Sequence, residues 1–121
     1  MEIDSWEVGS QNWTPKFREA FQRLRGYDPI PYLPGELGWV VDNEETQRRF
    51  DWDFHMTVSD LLLENYAGHM RELANRNGMK LSIEGYFHVP AVELAYGGRA
   101  DIPMAEFWFG SRWRGWGVAF C

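Results

Sequence analysis

The chain has 121 residues, a formal net charge of −6 and a single cysteine at its last position. The length suits one domain, and a hydrophobic content of 45% excludes a disordered chain. One cysteine excludes an internal disulfide and a four-thiolate metal site. The acidic balance argues against a nucleic-acid binder, and no apolar run approaches the roughly 20 residues of a membrane span.

Aromatic residues make up 17% of the chain, which exceeds what a core of this size requires. Polar-rimmed aromatic side chains often line ligand sites. We therefore expect part of this aromatic surface to contact a ligand, and the rest to form the apolar faces of helices.

The first forty residues predict a strand end followed by a helix and a loop. Alternation over Ile3–Trp6 predicts the end of a strand. Thr14 as N-cap, a proline after it and apolar residues at helical spacing predict a helix over Pro15–Arg25, which Gly26 ends. The prolines and glycines of Tyr27–Gly38 predict a loop with stiff turns.

The rest of the chain predicts one long helical region and two short strands. An apolar stripe runs over Glu44–Asn77, either as one helix or as two joined near Gly68. Period-two alternation over Met79–Glu84 predicts a strand. A short helix over Ala91–Tyr96 and a strand over Ala100–Ile102 follow.

Helices between strands predict an α/β fold with at most three strands. A parallel sheet needs several strands and helices on both faces. Three strands are fewer than a complete domain of this kind requires. We expect residues 1–110 to be a piece of a larger domain. Residues 111–121 lack a clear period. We expect this tail to lie outside the native reading frame.

Three glutamates lie at the expected strand ends, where α/β enzymes carry their catalytic groups. Glu7 follows the first strand, Glu84 ends the second, and Glu106 follows the third. Each has aromatic neighbours, whose flat faces suit sugar rings. Paired carboxylates in an aromatic cleft are what glycosidic cleavage requires. Spacing alone favours the simpler interpretation that each glutamate caps or solvates a loop.

Short stretches across the chain occur in the order found in one known family. They are Asp4-Ser5-Trp6-Glu7, Gln11-Asn12-Trp13-Thr14, Gly26-Tyr27-Asp28-Pro29 with Tyr32-Leu33-Pro34, Arg49-Phe50-Asp51-Trp52-Asp53, Ile83-Glu84-Gly85-Tyr86, and Ala100-Asp101-Ile102-Pro103 with Glu106-Phe107-Trp108. The ordered set resembles the catalytic barrel of glycoside hydrolase family 106, the α-L-rhamnosidases. The resemblance implies a partial (β/α)8 TIM barrel that cleaves terminal rhamnose with inversion and uses a calcium ion. Because the family's enzymes are several times longer, we expect an internal fragment.

The resemblance also implies roles for individual residues. Glu7 would be the general acid, with Asp4 and Glu106 beside it as substrate or calcium contacts. Glu84 would contact the sugar, and Glu84 and Glu106 are the other candidates for catalysis. The expected substrate-binding residues are Trp6, Trp13, Tyr86, His88 and Trp108. The general base is expected beyond residue 121, so we expect the isolated chain to be inactive and to self-associate.

Two other functions stay open from the sequence. One is a different TIM-barrel glycoside hydrolase with Glu84 as acid/base, and the other is a non-catalytic carbohydrate-binding fragment. The separation of the carboxyl groups distinguishes inverting from retaining enzymes, at roughly 6.5–9.5 Å against 5–5.5 Å. The segment Asp51–His55 resembles metal-ligand spacing, but we interpret it as a solvated helix face. The start lacks a signal peptide, and the family's members are often periplasmic or secreted, so localisation stays undetermined.

Overall fold

A computed structural model describes residues 1–10, 12–85 and 88–105. In chain order the elements are β1 (Glu2–Ile3), α1 (Phe17–Arg25), a 3₁₀ helix (Ile30–Leu37), α2 (Glu44–Leu62), a π-helical turn (Leu63–Gly68), α3 (His69–Arg76), β2 (Ser82–Glu84), α4 (Glu93–Gly97) and β3 (Ile102–Met104). Within these ranges the three strands form one parallel sheet in the order β1-β2-β3. The predicted α/β class is confirmed, whereas a sheet of this size does not by itself establish a barrel.

β1 is shorter than predicted because local hydrogen bonds replace the sheet ladder after Ile3. The Asp4 carboxylate accepts a hydrogen bond from the Ser5 N–H at 2.9 Å. The Trp6 indole N–H donates to the Gly9 carbonyl at 2.6 Å. Such side chain–backbone bonds compete with strand pairing. The prediction of a strand through Trp6 is therefore wrong in its length.

β2 keeps only the last three residues of the predicted strand Met79–Glu84. The Met79 N–H donates to the Ala74 carbonyl at 2.9 Å, which closes the end of α3. The Leu81 N–H donates to the Asp101 carboxylate at 2.9 Å. Both N–H groups are thus used before the ladder begins, and the strand starts at Ser82.

β3 lies two residues further along the chain than the predicted Ala100–Ile102. The backbone N–H groups of Asp101 and Ile102 share the Leu81 carbonyl, at 2.9 and 3.1 Å. This shared acceptor forms the entry to β3, and pairing continues from Ile102 to Met104. The prediction was right about the strand and wrong about its start.

α1 begins at Phe17 rather than at Pro15, and its N-cap is Lys16 rather than Thr14. The Phe17 N–H donates to the Thr14 backbone carbonyl at 3.0 Å, so the preceding residues form a turn. The predicted capping role of the threonine side chain is wrong. The predicted end is confirmed, since Gly26 adopts a φ of 85°, which glycine tolerates best.

The predicted loop Tyr27–Gly38 instead contains the 3₁₀ helix. Proline suits its first turn because the fixed φ of proline is compatible with helical backbone. Gly35 lies against α2, where an added Cβ would be 1.6 Å from the amide nitrogen of Gln47. A glycine at this position lets the buried Gln47 side chain pack beneath the 3₁₀ helix.

The predicted helix Glu44–Asn77 forms as one continuous run with a π-helical turn in the middle. Asn43 caps it by accepting a hydrogen bond from the Thr46 N–H at 2.9 Å. At Gly68 an added Cβ would lie 2.9 Å from the Leu63 carbonyl oxygen. Of the two alternatives, the single helical run is the one that forms. Its pitch changes over Leu63–Gly68, and it does not break into two helices.

Within the described residues the buried side chains form two clusters. One packs the sheet against the π-helical turn, α3 and α4, and comprises Ile3, Leu63, Ala67, Ala74, Leu81, Ile83, Val89, Tyr96 and Ala100. The other joins α1 to α2 and comprises Phe17, Phe21, Phe50, Phe54 and Val58. The second cluster contains four of the 20 aromatic residues of the chain, so part of the aromatic content forms helix faces, as predicted. In the described ranges no helix has both the length and the apolar character to cross a bilayer.

Candidate functional site

The strand ends that precede the predicted carboxylates meet at one edge of the sheet. Glu2 pairs with Ser82 and Ile3 with Ile83, so β1 ends beside the last residues of β2. Glu84 in turn pairs with Met104 at the end of β3. Because parallel strands have their carboxyl ends at the same edge, the loops after all three strands begin there. Glu106, two residues after Met104 in sequence, lies outside the described residues.

The loop after β1 holds two acidic side chains in a local hydrogen-bond arrangement. The Ser5 hydroxyl donates to Glu7 Oε1 at 3.0 Å, and the Ser5 N–H donates to Asp4 Oδ1 at 2.9 Å. Both carboxylates are exposed. One serine therefore orients two carboxylates that remain accessible to a ligand.

The end of β2 is held by close packing against α4. Glu84 is half-buried as the last residue of β2. An added Cβ on Gly85 would lie 2.8 Å from the Gly97 Cα, so the two backbones meet without room for a side chain. His88 is exposed and has a φ of 68°, in the left-handed region that few non-glycine residues adopt. This packing fixes the position from which Glu84 projects.

The described aromatic candidates differ in how much ring surface they offer. Trp6 is half-buried, lies edge-on to Tyr66 with ring centroids 6.0 Å apart, and uses its N–H within its own loop. Trp13 packs against Phe17 at 5.1 Å but keeps 45% of its surface exposed. Trp13 therefore has more surface available to a sugar than Trp6. The other two predicted aromatic contacts, Tyr86 and Trp108, lie outside the described residues.

The described residues do not fit a calcium ion by themselves. Calcium takes six to eight oxygen ligands. In the described part of the chain, no three His, Cys, Asp or Glu side chains form a group that could hold a metal. Of the predicted ligands, Asp4 is described and Glu106 is not. The calcium site stays a prediction.

A groove beside the strand-end loops was not predicted from the sequence. It is lined in part by Trp52 and His55 of α2 and by Glu36 of the 3₁₀ helix. The three-residue spacing of Trp52 and His55 places them on one helix face, which the sequence could have indicated. Their approach to Glu36 depends on how the 3₁₀ helix packs on α2, for which the sequence carried no signal.

Together, the fold and the site define a parallel α/β protein with carboxylates at the carboxyl edge of its sheet. Many enzymes of this class carry their catalytic groups at that edge. The chain belongs to glycoside hydrolase family 106, since the family model, described as alpha-L-rhamnosidase, matches residues 1–116. The resemblance inferred from the ordered motifs is thereby confirmed.

Two relatives extend this result. A protein of Formosa agariphila with the provisional name beta-glucuronidase is 45% identical over 108 residues, covering 89% of this chain and 9% of that protein. The structure of a rhamnosidase from Novosphingobium sp. PP1Y matches with a TM-score of 0.77 and 38% identity, covering 92% of this chain and 10% of that one. The chain thus spans about a tenth of the length of these relatives.

Proposed function

We propose that the chain contributes strand-end loops to the (β/α)8 active site of an inverting α-L-rhamnosidase, which removes terminal rhamnose from glycans. One observation carries this proposal. The parallel register brings the Asp4–Glu7 loop and the end of β2 at Glu84 to the same edge of the sheet. Family membership and the rhamnosidase of similar structure support it.

In this proposal Glu7 is the general acid. Its carboxyl group is exposed on a loop and held by the Ser5 hydroxyl, so it can reach the oxygen of a leaving group. Protonation of that oxygen lets the glycosidic bond break while a second carboxylate activates water on the opposite face of the sugar. We propose that this second carboxylate lies beyond residue 121.

Glu84 and His88 are proposed to contact the sugar, because the packing of Gly85 against α4 fixes the loop that carries them. Trp6, Trp13, Tyr86 and Trp108 stay predicted sugar contacts. Glu106 stays a predicted catalytic or calcium contact, with Asp4 as its predicted partner. No catalytic step is assigned to calcium, since the described residues do not fit it.

The name of the Formosa relative raises a second candidate, cleavage of a glucuronide. A glucuronate carboxylate is usually paired with arginine or lysine in a binding site. Among the described residues of the loops after β1 and β2, over 4–10, 12–16 and 88–92, the one such cation is Lys16, at the N-cap of α1. We keep rhamnose as the first candidate because the family model and the similar structure are both rhamnosidases.

The proposal is tested in a chimera in which this chain replaces the corresponding segment of the Novosphingobium rhamnosidase. Glu7→Gln removes the proton donor, and a positioned acid contributes about 10²–10⁴-fold to rate. A nitrophenol leaving group needs less protonation than a sugar alcohol. We therefore expect kcat to fall far more on a rhamnosyl disaccharide than on nitrophenyl α-L-rhamnoside.

Glu19→Gln is the matched control, because Glu19 is exposed on α1 and is not one of the predicted site residues. It is expected to leave both rates unchanged. Equal losses on the two substrates for Glu7→Gln would contradict the general-acid role. A large loss for Glu84→Gln with the anomeric configuration retained would favour the alternative hydrolase, and binding without turnover would favour the carbohydrate-binding fragment.

We further propose that the isolated chain is inactive and self-associates. The strands β1 and β3 are at the edges of the described sheet, and unpaired edges promote association. Leu37, Trp39 and Val40 add a run of exposed apolar side chains. Sedimentation of the purified chain checks this, and a sharp monomer peak would count against it.

A further inference from the structure

A groove of about 410 Å³ lies beside the candidate site and has the size of a ligand pocket, roughly 300–1,000 Å³. Ser10 and Asn12, from the loop after β1, form part of its lining. Val89–Val92, from the loop after β2, form another part. Both loops start at the carboxyl ends of the strands, the edge whose loops also carry Glu7 and Glu84.

The groove combines one exposed aromatic side chain with a buried apolar floor. Trp52 is 69% exposed. Phe54, Val58 and Val89, which also line the groove, are buried. An indole with an accessible face beside an apolar floor matches the apolar face of a sugar ring.

The polar groups of the lining include both donors and acceptors. The His55 Nδ1 lies 2.7 Å from the Asp51 carbonyl oxygen, which can only accept a hydrogen bond. In the neutral ring the proton is therefore on Nδ1, and Nε2 is an acceptor. Asn12 adds an amide and Glu36 a carboxyl group whose pKa is raised by burial. A mixture of this kind suits hydroxyl groups, which both donate and accept.

The charge of the groove argues for a neutral ligand. Among the described residues that line it, none is lysine or arginine. Phosphate and carboxylate ligands are usually bound by such cations. Glu36 has the opposite sign, so an anionic ligand would be repelled whenever this side chain is ionised.

The walls of the groove are fixed before any ligand binds. The Val92 N–H donates to the Ser59 hydroxyl at 3.0 Å, which ties the loop after β2 to α2. On the other side, Gly35 allows the 3₁₀ helix that carries Glu36 to pack directly over Gln47. A preformed site loses less entropy on binding than one that must be ordered.

We propose that this groove binds a neutral sugar unit next to the rhamnose that is cleaved, with Trp52 stacking on that unit. The inference rests on the proposed function, because it takes the neighbouring strand edge as the site of the rhamnose. It assigns the ligand of the groove to the class of uncharged pyranosides.

The test is an NMR titration of the 121-residue chain that follows the indole N–H signals, at a concentration where sedimentation shows a single species. The probes are an α-L-rhamnosyl-glucose disaccharide, free L-rhamnose, and a disaccharide with glucuronate in place of glucose. We expect the neutral disaccharide to shift the Trp52 signal, and both other probes to leave it unchanged. An unmoved Trp52 signal at saturating disaccharide would overturn the proposal.

Trp52→Ala is compared with Trp39→Ala, since both side chains are 69% exposed and Trp39 is not part of the groove lining. Because Trp39 belongs to the apolar run proposed to promote self-association, both variants are titrated at a concentration where sedimentation shows the same species. We expect the Kd for the neutral disaccharide to rise about tenfold in Trp52→Ala, which corresponds to about 1.4 kcal/mol. Trp39→Ala should change it less than about twofold, or about 0.4 kcal/mol. Equal effects of the two variants would overturn the proposal, and circular dichroism melts confirm that both remain folded.

The outcomes separate this inference from the proposed function. If the chimera shows Glu7-dependent cleavage of rhamnosides while the Trp52 signal stays unmoved, the groove assignment is wrong and the function stands. If the disaccharide shifts the Trp52 signal while no rhamnoside is cleaved, the groove is a sugar site and the proposed function is wrong.

Discussion

Gly85 and Gly97 face each other where β2 ends against α4, and a methyl group on each has a different consequence. On Gly85 an added Cβ would lie 2.8 Å from the Gly97 Cα and 2.9 Å from the Gly97 nitrogen. On Gly97 the nearest contact of an added Cβ is the Gly85 Cα at 4.0 Å, an ordinary van der Waals distance. Gly85→Ala therefore forces two backbone segments apart, whereas Gly97→Ala does not.

Overpacking against atoms that cannot move aside costs about 1–3 kcal/mol. For Gly85→Ala this corresponds to a decrease in Tm of roughly 4–15 °C in a chain of this size. Gly97 is the last residue of α4, and replacing a helical glycine by alanine gains up to about 1 kcal/mol. Gly97→Ala is therefore expected to be neutral or stabilising.

Thermal and urea unfolding followed by circular dichroism measure both effects. In the chimera, Gly85→Ala should also lower kcat, since it displaces the backbone directly after Glu84. A neutral Gly85→Ala, or a Gly97→Ala that destabilises as much, would refute the reasoning from the backbone contact.

Two further predictions concern the aromatic cluster and the entry to β3. Phe21 is fully buried, with the Tyr27 ring 5.0 Å away, so Phe21→Ala should lower the free energy of unfolding by about 3–5 kcal/mol in urea titrations. A loss under about 1 kcal/mol would contradict that packing. The Leu81 N–H, together with Arg71, holds the pKa of Asp101 below its usual value. The stabilisation is therefore present above about pH 4 and is lost as pH falls through the lowered pKa. The stability difference between wild type and Asp101→Asn should shrink below about pH 4, and a constant difference would argue against this bond.

Local signals predicted several helix features correctly, because each depends on residues close in sequence. Gly26 ends α1 through its positive φ, as its place after the apolar stripe predicted. The stripe over Glu44–Asn77 forms one helical run. In contrast, strand bounds failed where a distant side chain took a backbone N–H, as Asp101 does for Leu81.

The candidate site was likewise predicted in part from the sequence, and the rest depends on tertiary packing. The predicted strands identified Glu7 and Glu84 as residues at strand ends, and the parallel register then placed the strand ends side by side. The groove could not be foreseen, because Glu36 and Trp52 are joined only by the packing of the 3₁₀ helix on α2.

The sequence by itself determined the family, the α/β class and the division of the aromatic residues between helix cores and other positions. These depend on motif order and on periodicity, both of which can be observed in the sequence without knowledge of the fold. The tertiary structure decided which strands pair, where each strand begins, and which side chains form the groove beside Trp52. Those features depend on contacts between residues far apart in sequence, such as Ile3 with Ile83, whose geometry no local pattern specifies.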